Sequence, residues 1–200
     1  MTRALYFGDN LPILRDYIAD DSIDLIYLDP PFNSKRGYNV IFEERDMDRS
    51  YAQPRAFDDA WHWNQSAQDA YDELTNAEAQ ARTPTLSTLI ELYCKALPRR
   101  SDLLAYLVMM ASRLLQLHRV LRPNGSIYLH CDPTASHYLK TTMDALFGVR
   151  CFRSEVIWSY RRWPAATPNY QQMHDVLLYY AKGDAPTFNV EYEPASESFL

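Results

Sequence analysis

Glycine and cysteine are scarce in this 200-residue sequence, which contains five glycines and three cysteines. The cysteines form no CxxC pair, and an odd number of widely separated cysteines predicts neither a zinc knuckle nor a disulfide framework. Free thiols of this kind are typical of proteins in a reducing cytoplasm. The N-terminal residues MTRALYFGDN lack the apolar core of a signal peptide, and charged residues interrupt the most apolar stretch, Leu103–Leu121. The sequence therefore predicts neither a membrane span nor a membrane partner.

Positive charge is also limited, because 20 Lys and Arg residues are outnumbered by 26 Asp and Glu residues. With a formal net charge of −6, the chain as a whole does not attract nucleic acid. The charge is unevenly distributed, however. Residues 43–73 contain nine acids and three arginines, whereas residues 150–163 contain four arginines and one acid. Any basic contact surface is therefore expected to be local.

The pattern of apolar residues predicts one domain of the open α/β class. Apolar residues make up 47% of the sequence, which is sufficient for a sizeable core in a chain of this length. Ile23–Leu28 has the nearly continuous apolar run of a parallel strand that is covered on both faces. The other predicted strands are 4–7, 126–131, 152–160 and 175–181, the last two as an antiparallel pair.

Predicted helices connect these strands, each beginning at a polar residue that can cap its first turn. The expected caps are Asn10, Asp102 and Asp132. Residues 33–100 show no clear periodicity and are interpreted as a long insertion that is partly helical, at about 66–80 and 86–96. The order of elements favours an incomplete, mostly parallel sheet with the antiparallel pair at its C-terminal end.

The segment Asp29-Pro30-Pro31-Phe32 lies where the strand 23–28 ends, and ligands of open α/β sheets bind outside the carboxyl ends of strands. One interpretation is a turn, because two prolines give the chain a rigid exit from the strand. The other is a binding site, in which the Asp29 carboxylate and the Pro30 carbonyl are acceptors beside the aromatic face of Phe32. Such a set suits a planar ring that carries an exocyclic amine.

The DPPF segment after an apolar strand resembles the D/N/S-P-P-Y/F/W signature of S-adenosylmethionine-dependent DNA amino-methyltransferases. The segments YFGDNLPIL, LHRVLRPNGSIYLHCDPTASHYLKTTMDALFG and EVIWSYRRW…NYQQMHDVLLYYAKG are similar to the bacterial β-type order, as in type III modification subunits. The resemblance implies a Rossmann-like methyltransferase sheet, S-adenosylmethionine as cofactor and double-stranded DNA as partner. It also implies a restriction subunit or a second copy of the chain as a further partner.

By this resemblance, the catalytic residues are Asp29, Pro30, Pro31 and Phe32. Hydrogen bonds from the amine to Asp29 and to the Pro30 carbonyl would direct the nitrogen lone pair at the methyl sulfonium, after the base has left the duplex. An acid at position 29 favours adenine N6, and cytosine N4 is the alternative. RNA and a protein glutamine amide are further alternative substrates.

Other polar residues have both a functional and a structural interpretation. By the resemblance, Asp9 would accept a hydrogen bond from the adenine of the cofactor, or else it caps the following helix. Lys35 and Arg36 either hold a phosphate or are solvated loop charges. The predicted DNA contacts follow the strand 152–160: Arg161, Arg162 and Trp163.

Three further segments are interpreted mainly as structural. His130 is expected to be a core or pocket-wall residue, with proton transfer as the alternative, and His174-Asp175 is expected to begin the last strand. The cluster Trp61-His62-Trp63 either stacks nucleotides or packs the insertion onto the domain.

The glycines at 8, 37, 125, 148 and 183 are too far apart for the FxGxG cofactor loop of this family. The resemblance therefore implies that residues 1–200 are the amino-terminal part of one catalytic domain, without its recognition region and glycine loop. Such a chain is expected to be inactive alone. The competing hypothesis is a catalytically incomplete chain that acts only by binding DNA or by complementing another chain.

Overall fold

The structure, a computed structural model, describes residues 3–31, 37–39, 55–58, 61–161, 163, 168 and 170–190. Its strands are β1 (Ile23–Leu28), β2 (Gly37–Asn39), β3 (Arg55–Asp58), β4 (Leu121–Cys131), β5 (Phe152–Ser159) and β6 (His174–Ala181). Its helices are α1 (Asn10–Tyr17), α2 (Gln65–Thr75), α3 (Ala77–Arg82), α4 (Pro84–Ala96), α5 (Asp102–Val120) and α6 (Ser136–Phe147). No helix in these ranges is long and apolar enough to cross a membrane.

Four strands form the main sheet in the order β1-β4-β6-β5, and β2 pairs with β3 separately. β1 runs parallel to β4, and β6 runs antiparallel to both β4 and β5. The predicted α/β class and the predicted antiparallel pair at the C-terminal end are confirmed. The sheet is mixed, and within the described ranges its parallel pairing is that of β1 with β4.

One face of the sheet packs against the helices. Ile26, Ile127, Leu129 and Leu178 point to this side, are at most 9% exposed, and share one hydrophobic cluster with α5. Burial of each such side chain contributes about 1.5–3 kcal/mol relative to leaving it in water. The apolar character of α5 on nearly all sides follows from its position, since it packs against α1, α2 and α6 as well as contributing to the core.

The predicted insertion is, over residues 61–100, a helical layer that belongs to the domain core. The helical prediction for about 66–80 and 86–96 is confirmed by α2, α3 and α4. Asn64 caps α2 by accepting from the Ala67 amide at 3.0 Å, and Pro84 occupies the first turn of α4. The side chains that these helices bury are Ala67, Ala70, Leu74, Leu86, Ser87, Ile90 and Tyr93.

For three helices the structure has a different N-cap residue from the one that the sequence predicts. α1 is capped by Asp9, not by Asn10, and α5 is capped by Ser101, whose hydroxyl accepts from the Leu104 amide at 3.3 Å. A cap must lie before the first helical residue, so that its side chain reaches the free amides of the first turn. The Asp132 carboxylate accepts from the Ala135 amide at 3.1 Å and closes the turn that precedes α6, whose own cap is Ala135.

Two strand predictions are corrected by the structure. Residues 4–7 form no strand, and Leu5 and Phe7 are almost fully exposed. An extended segment becomes a strand only where a neighbouring strand pairs with its backbone, and no described strand pairs with this segment. Within the part of the chain that the structure describes, β1 is covered on one face, and Leu25 and Tyr27 are 60% and 54% exposed on the other. This second side of the sheet, with Leu25, Tyr27, Tyr128 and Tyr179, is called the open face below.

Candidate functional site

Asp29 directly follows β1, at the carboxyl end of the parallel pair of strands. Its side chain is 60% exposed, whereas Pro30 is buried and Pro31 is half-buried. The Pro31 carbonyl accepts a hydrogen bond from the Trp61 indole N–H at 3.4 Å. The two prolines therefore anchor a rigid exit from the strand, while the carboxylate remains open to solvent. Both interpretations of the segment, the turn and the exposed acceptor, are compatible with this geometry.

The aromatic cluster at residues 61–63 packs this part of the chain onto the domain. The Trp61 ring lies 5.9 Å from the Tyr106 ring, and the Arg113 guanidinium lies 5.4 Å from the Trp61 ring centre. Trp63 donates its indole N–H to the Gln68 side-chain oxygen at 3.3 Å. The structural alternative for this cluster is therefore the one observed, and Trp61 additionally holds the Pro31 carbonyl.

His130 lies beside Asp29 on the open face. The parallel register pairs Leu28 with Leu129, so the next residue of each chain segment, Asp29 and His130, are neighbours. The His130 Nδ1 atom is 3.2 Å from Asp29 Oδ1, which is ion-pair distance. The His130 Nε2 atom is 3.7 Å from Oδ2 of Asp175. One imidazole thus lies between carboxylates from two different segments.

Residues of β5 and β6 complete this arrangement. Asp175 pairs with Trp158 across the two strands, and its Oδ1 atom accepts a hydrogen bond from the Tyr160 hydroxyl at 3.3 Å. The Trp158 ring is nearly parallel to the His130 ring, with 15° between the planes and 6.2 Å between the centres. The Asp29 cluster is defined here as Asp29, His130, Trp158, Tyr160 and Asp175.

Sequence reasoning identified Asp29 but treated His130 and Asp175 mainly as structural residues. Register is the signal that could have found them. β4 pairs His130 with Leu177 of β6, which makes Asp175 the diagonal neighbour of His130 on the same face. Finding it required the strand order, which places β6 next to β4.

Cys131 lies one residue beyond His130, but its thiol is not available as a nucleophile. Its side chain is fully buried and contacts the Val176 carbonyl at 3.6 Å. Burial, reinforced by Asp132, Glu155 and Asp175, raises the pKa of the Cys131 thiol to about 12. A thiol rather than a thiolate is therefore present at neutral pH.

Asp9 is bound within the fold. Its Oδ1 atom accepts from the Leu11 amide at 2.9 Å, and Arg113 contacts Oδ1 and Oδ2 at 2.8 and 3.0 Å. The Arg113 side chain is only 9% exposed, so it needs a charged partner. The capping interpretation of Asp9 therefore matches its contacts, and its predicted cofactor role remains a prediction.

The connection between β5 and β6 carries the predicted DNA contacts that the structure describes. Arg161 is exposed and Trp163 is 93% exposed. β5 ends and β6 begins at the edge of the sheet where β4 ends, because β6 is antiparallel to both strands. These residues therefore follow the strands at the same edge as Asp29. Phe32, Lys35, Arg36 and Arg162 lie outside the described residues.

The open face between these strands is aromatic. The rings of Tyr128 and Tyr179 are stacked with centres 4.5 Å apart and 4° between their planes, and Phe188 stacks beyond Tyr179 at 6.2 Å. Partial burial raises the pKa of Tyr128, and the neighbouring Tyr179 raises it further. The Asp29 cluster thus lies at the end of an aromatic surface, on which the Tyr128 hydroxyl remains protonated at neutral pH.

Comparisons with known proteins give related matches. The model of a family described as DNA methylase matches residues 23–198. The chain is 26% identical over 199 residues to the Mod subunit of the type III restriction-modification enzyme StyLTI of Salmonella typhimurium, covering 96% of this chain and 26% of that subunit. The chain thus spans about a quarter of the length of this curated relative. The chain also matches the solved structure of the cytosine-N4-specific PvuII DNA methyltransferase, with a TM-score of 0.48 and 13% sequence identity. This match covers 90% of this chain and 49% of that methyltransferase chain.

Proposed function

The chain belongs to the DNA methylase family of N6/N4 amino-methyltransferases, and from this we propose that it binds the exocyclic amine of a DNA base as the acceptor in methyl transfer. The observation that carries the proposal is the carboxylate of Asp29, 60% exposed at the carboxyl end of β1. The buried Pro30 and the Trp61 contact to Pro31 fix the backbone at this point. A rigidly held acceptor at a strand end is what recognition of an amine requires.

In the proposed reaction, the amine donates one hydrogen bond to Asp29 and one to the Pro30 carbonyl. The two acceptors draw the nitrogen toward tetrahedral geometry and make its lone pair available, which is catalysis by positioning and electrostatics. The base must first leave the duplex, and Phe32 is proposed to stack on it. No covalent enzyme intermediate is needed, and the nearby Cys131, with its pKa of about 12, supplies no nucleophile.

The proposed methyl donor is S-adenosylmethionine, which supplies an electrophilic methyl group when bound. The described residues do not form a cradle for it. The carboxylate of Asp9, the residue proposed toward its adenine, is already bound by Arg113 and by the Leu11 amide. A Cβ added at Gly8 would meet no atom within 4 Å. We therefore derive no step of the reaction through the cofactor.

We propose adenine N6 as the acceptor, because the acid at position 29 favours it by the family resemblance, and cytosine N4 remains the alternative. Double-stranded DNA is the proposed partner, with Arg161, Arg162 and Trp163 as its contacts and Lys35 and Arg36 on a phosphate. Similarity to a type III Mod subunit supports a restriction subunit as a second partner. The chain is proposed to form part of one methyltransferase catalytic domain in the bacterial cytoplasm.

The proposal is tested by an assay of methyl transfer to duplex DNA, carried out with the protein as its gene encodes it. The protein is incubated with radiolabelled S-adenosylmethionine, and the digested nucleosides are separated to distinguish N6-methyladenine from N4-methylcytosine. Asp29→Ala should lower the single-turnover rate by about 10²–10³ while leaving DNA affinity unchanged, because one preorganised hydrogen bond is lost in the transition state.

The matched control is Asp24→Ala. Asp24 is a carboxylate near the opposite end of β1, its side chain is 70% exposed, and it pairs with Arg122. Its loss is expected to leave the rate unchanged. An Asp29→Ala variant as fast as wild type would disprove the amine-acceptor role. DNA binding without any methyl transfer by wild-type protein would instead support the alternative of a chain that only binds DNA or complements another chain.

A further inference from the structure

The imidazole of His130, a residue of β4, contacts Asp29, which is the proposed amine acceptor. We propose that His130 is a positioning residue, which holds one oxygen of Asp29 so that the other oxygen faces the amine. Asp175, with Tyr160, holds His130 in turn. This inference rests on the proposed function, because the orientation of the Asp29 carboxylate matters for the rate only if Asp29 accepts the amine.

Asp29 and His130 differ in burial. The Asp29 side chain is 60% exposed, whereas that of His130 is 15% exposed. Two prolines fix the backbone around Asp29 but leave its side-chain torsions free. The His130 Nδ1 atom lies 3.2 Å from Asp29 Oδ1, an ion-pair contact that restrains those torsions. The buried partner therefore orients the exposed one.

His130 also has neighbours on β5 and β6 that restrain it. Its Nε2 atom lies 3.7 Å from Oδ2 of Asp175, and Oδ1 of Asp175 accepts from the Tyr160 hydroxyl. The Trp158 ring lies almost parallel to the imidazole, with 6.2 Å between the ring centres, and favours this orientation of the imidazole. A histidine nitrogen is commonly oriented by the group that its other nitrogen contacts, and here that group is the 21%-exposed carboxylate of Asp175.

The two contacts of His130 can be separated by substitution. A neutral imidazole donates from one nitrogen and an imidazolium from both. The amide nitrogen of asparagine is as many bonds from the backbone as Nδ1, and the amide nitrogen of glutamine as many as Nε2. His130→Asn therefore places an N–H group near Asp29, whereas His130→Gln places one near Asp175 and none near Asp29.

The experiment compares these two variants in the protein as its gene encodes it. Single-turnover methyl transfer is measured at saturating DNA and S-adenosylmethionine, together with DNA affinity and thermal unfolding. We expect His130→Asn to retain most of the wild-type rate and His130→Gln to lose roughly 10–100-fold, because misplacement of a catalytic group by about 1 Å has costs of that order. DNA affinity should not change. His137→Gln, at an exposed histidine of α6, is the matched control and should be silent.

Equal rates for the asparagine and glutamine variants, or rates that follow thermal stability alone, would overturn the positioning role. A wild-type protein that transfers no methyl group to DNA would overturn the proposed function itself. The contacts are also testable without activity, by ¹⁵N NMR of the imidazole. Asp29→Asn should shift the Nδ1 resonance of His130 and Asp175→Asn the Nε2 resonance, and an Nδ1 resonance unaffected by Asp29→Asn would refute the proposed contact.

Discussion

The pair formed by Asp9 and Arg113 allows the two interpretations of Asp9 to be separated by stability and by ligand binding. The carboxylate carries out two structural tasks, capping α1 and pairing with a guanidinium whose side chain is 9% exposed. Asp9→Ala removes both contacts, whereas Asp9→Asn keeps a side chain that caps helices well but removes the negative charge. The difference between the two variants therefore isolates the cap from the ion pair.

The expected cost follows from the burial of the two partners. Removing one partner of a fully buried pair costs about 3–5 kcal/mol, but the Asp9 side chain is 52% exposed, so solvent screening reduces its share to about 1–2 kcal/mol. Loss of the cap adds about 1 kcal/mol. Asp9→Ala should therefore lower the free energy of unfolding by about 2–3 kcal/mol, and Asp9→Asn by about 1–2 kcal/mol.

Urea unfolding of both variants measures these values, and titration with S-adenosylmethionine of the protein as its gene encodes it measures the cofactor role. If Asp9 is only structural, Asp9→Asn keeps the cofactor affinity of wild type. If the carboxylate also binds the cofactor adenine, Asp9→Asn loses affinity at a temperature where it remains folded. A cost below about 0.5 kcal/mol for Asp9→Ala, typical of a surface substitution without consequence, would refute the structural reasoning.

Two further predictions concern the pH dependence of stability and the DNA contact. Burial lowers the pKa of His118 from its usual 6.5, and the nearby Lys182 lowers it further. Below pH 6.5 the unfolded chain therefore binds a proton at this histidine more readily than the folded chain does. The free energy of unfolding should fall as the pH drops through this range. His118→Gln should show a smaller loss between pH 7.5 and pH 5.5 in urea unfolding, and an unchanged loss would contradict this assignment. Arg161→Ala should weaken duplex DNA binding and reduce the slope of log affinity against log salt by about 1, whereas an unchanged slope would show that Arg161 contacts no phosphate.

Local features of the fold could be predicted from the sequence because their causes are local. The apolar stripe of α6, with Leu139 and Met143 fully buried, follows from helical spacing. Its end at Gly148, with φ of 91°, follows from the preference of glycine for positive φ. The rigid exit from β1 at Pro30 and Pro31 likewise follows from residue type, because proline fixes the φ angle of the backbone. Each of these features depends on only a few neighbouring residues.

Features that depend on a partner segment were predicted less well. Residues 4–7 have the composition of a strand, yet strand formation requires backbone pairing that composition does not supply. The apolar run Ile23–Leu28 has the pattern of a strand covered on both faces, but its coverage depends on which elements lie above and below it. Leu25 and Tyr27 are therefore exposed, although their side chains are largely apolar.

The candidate site combines both kinds of information, which explains why only part of it was found from the sequence. Asp29 is marked by the prolines that follow it. His130 and Asp175 are marked by nothing nearby, since a histidine before Cys131 and an aspartate at the start of a strand are common in structural roles. They meet because β6 inserts between β4 and β5 and runs antiparallel to both. That arrangement brings the end of β4, the end of β5 and the start of β6 to one edge of the sheet. Asp29 and His130, more than a hundred positions apart along the chain, thus come into contact, and Asp175 lies on the other side of the same imidazole.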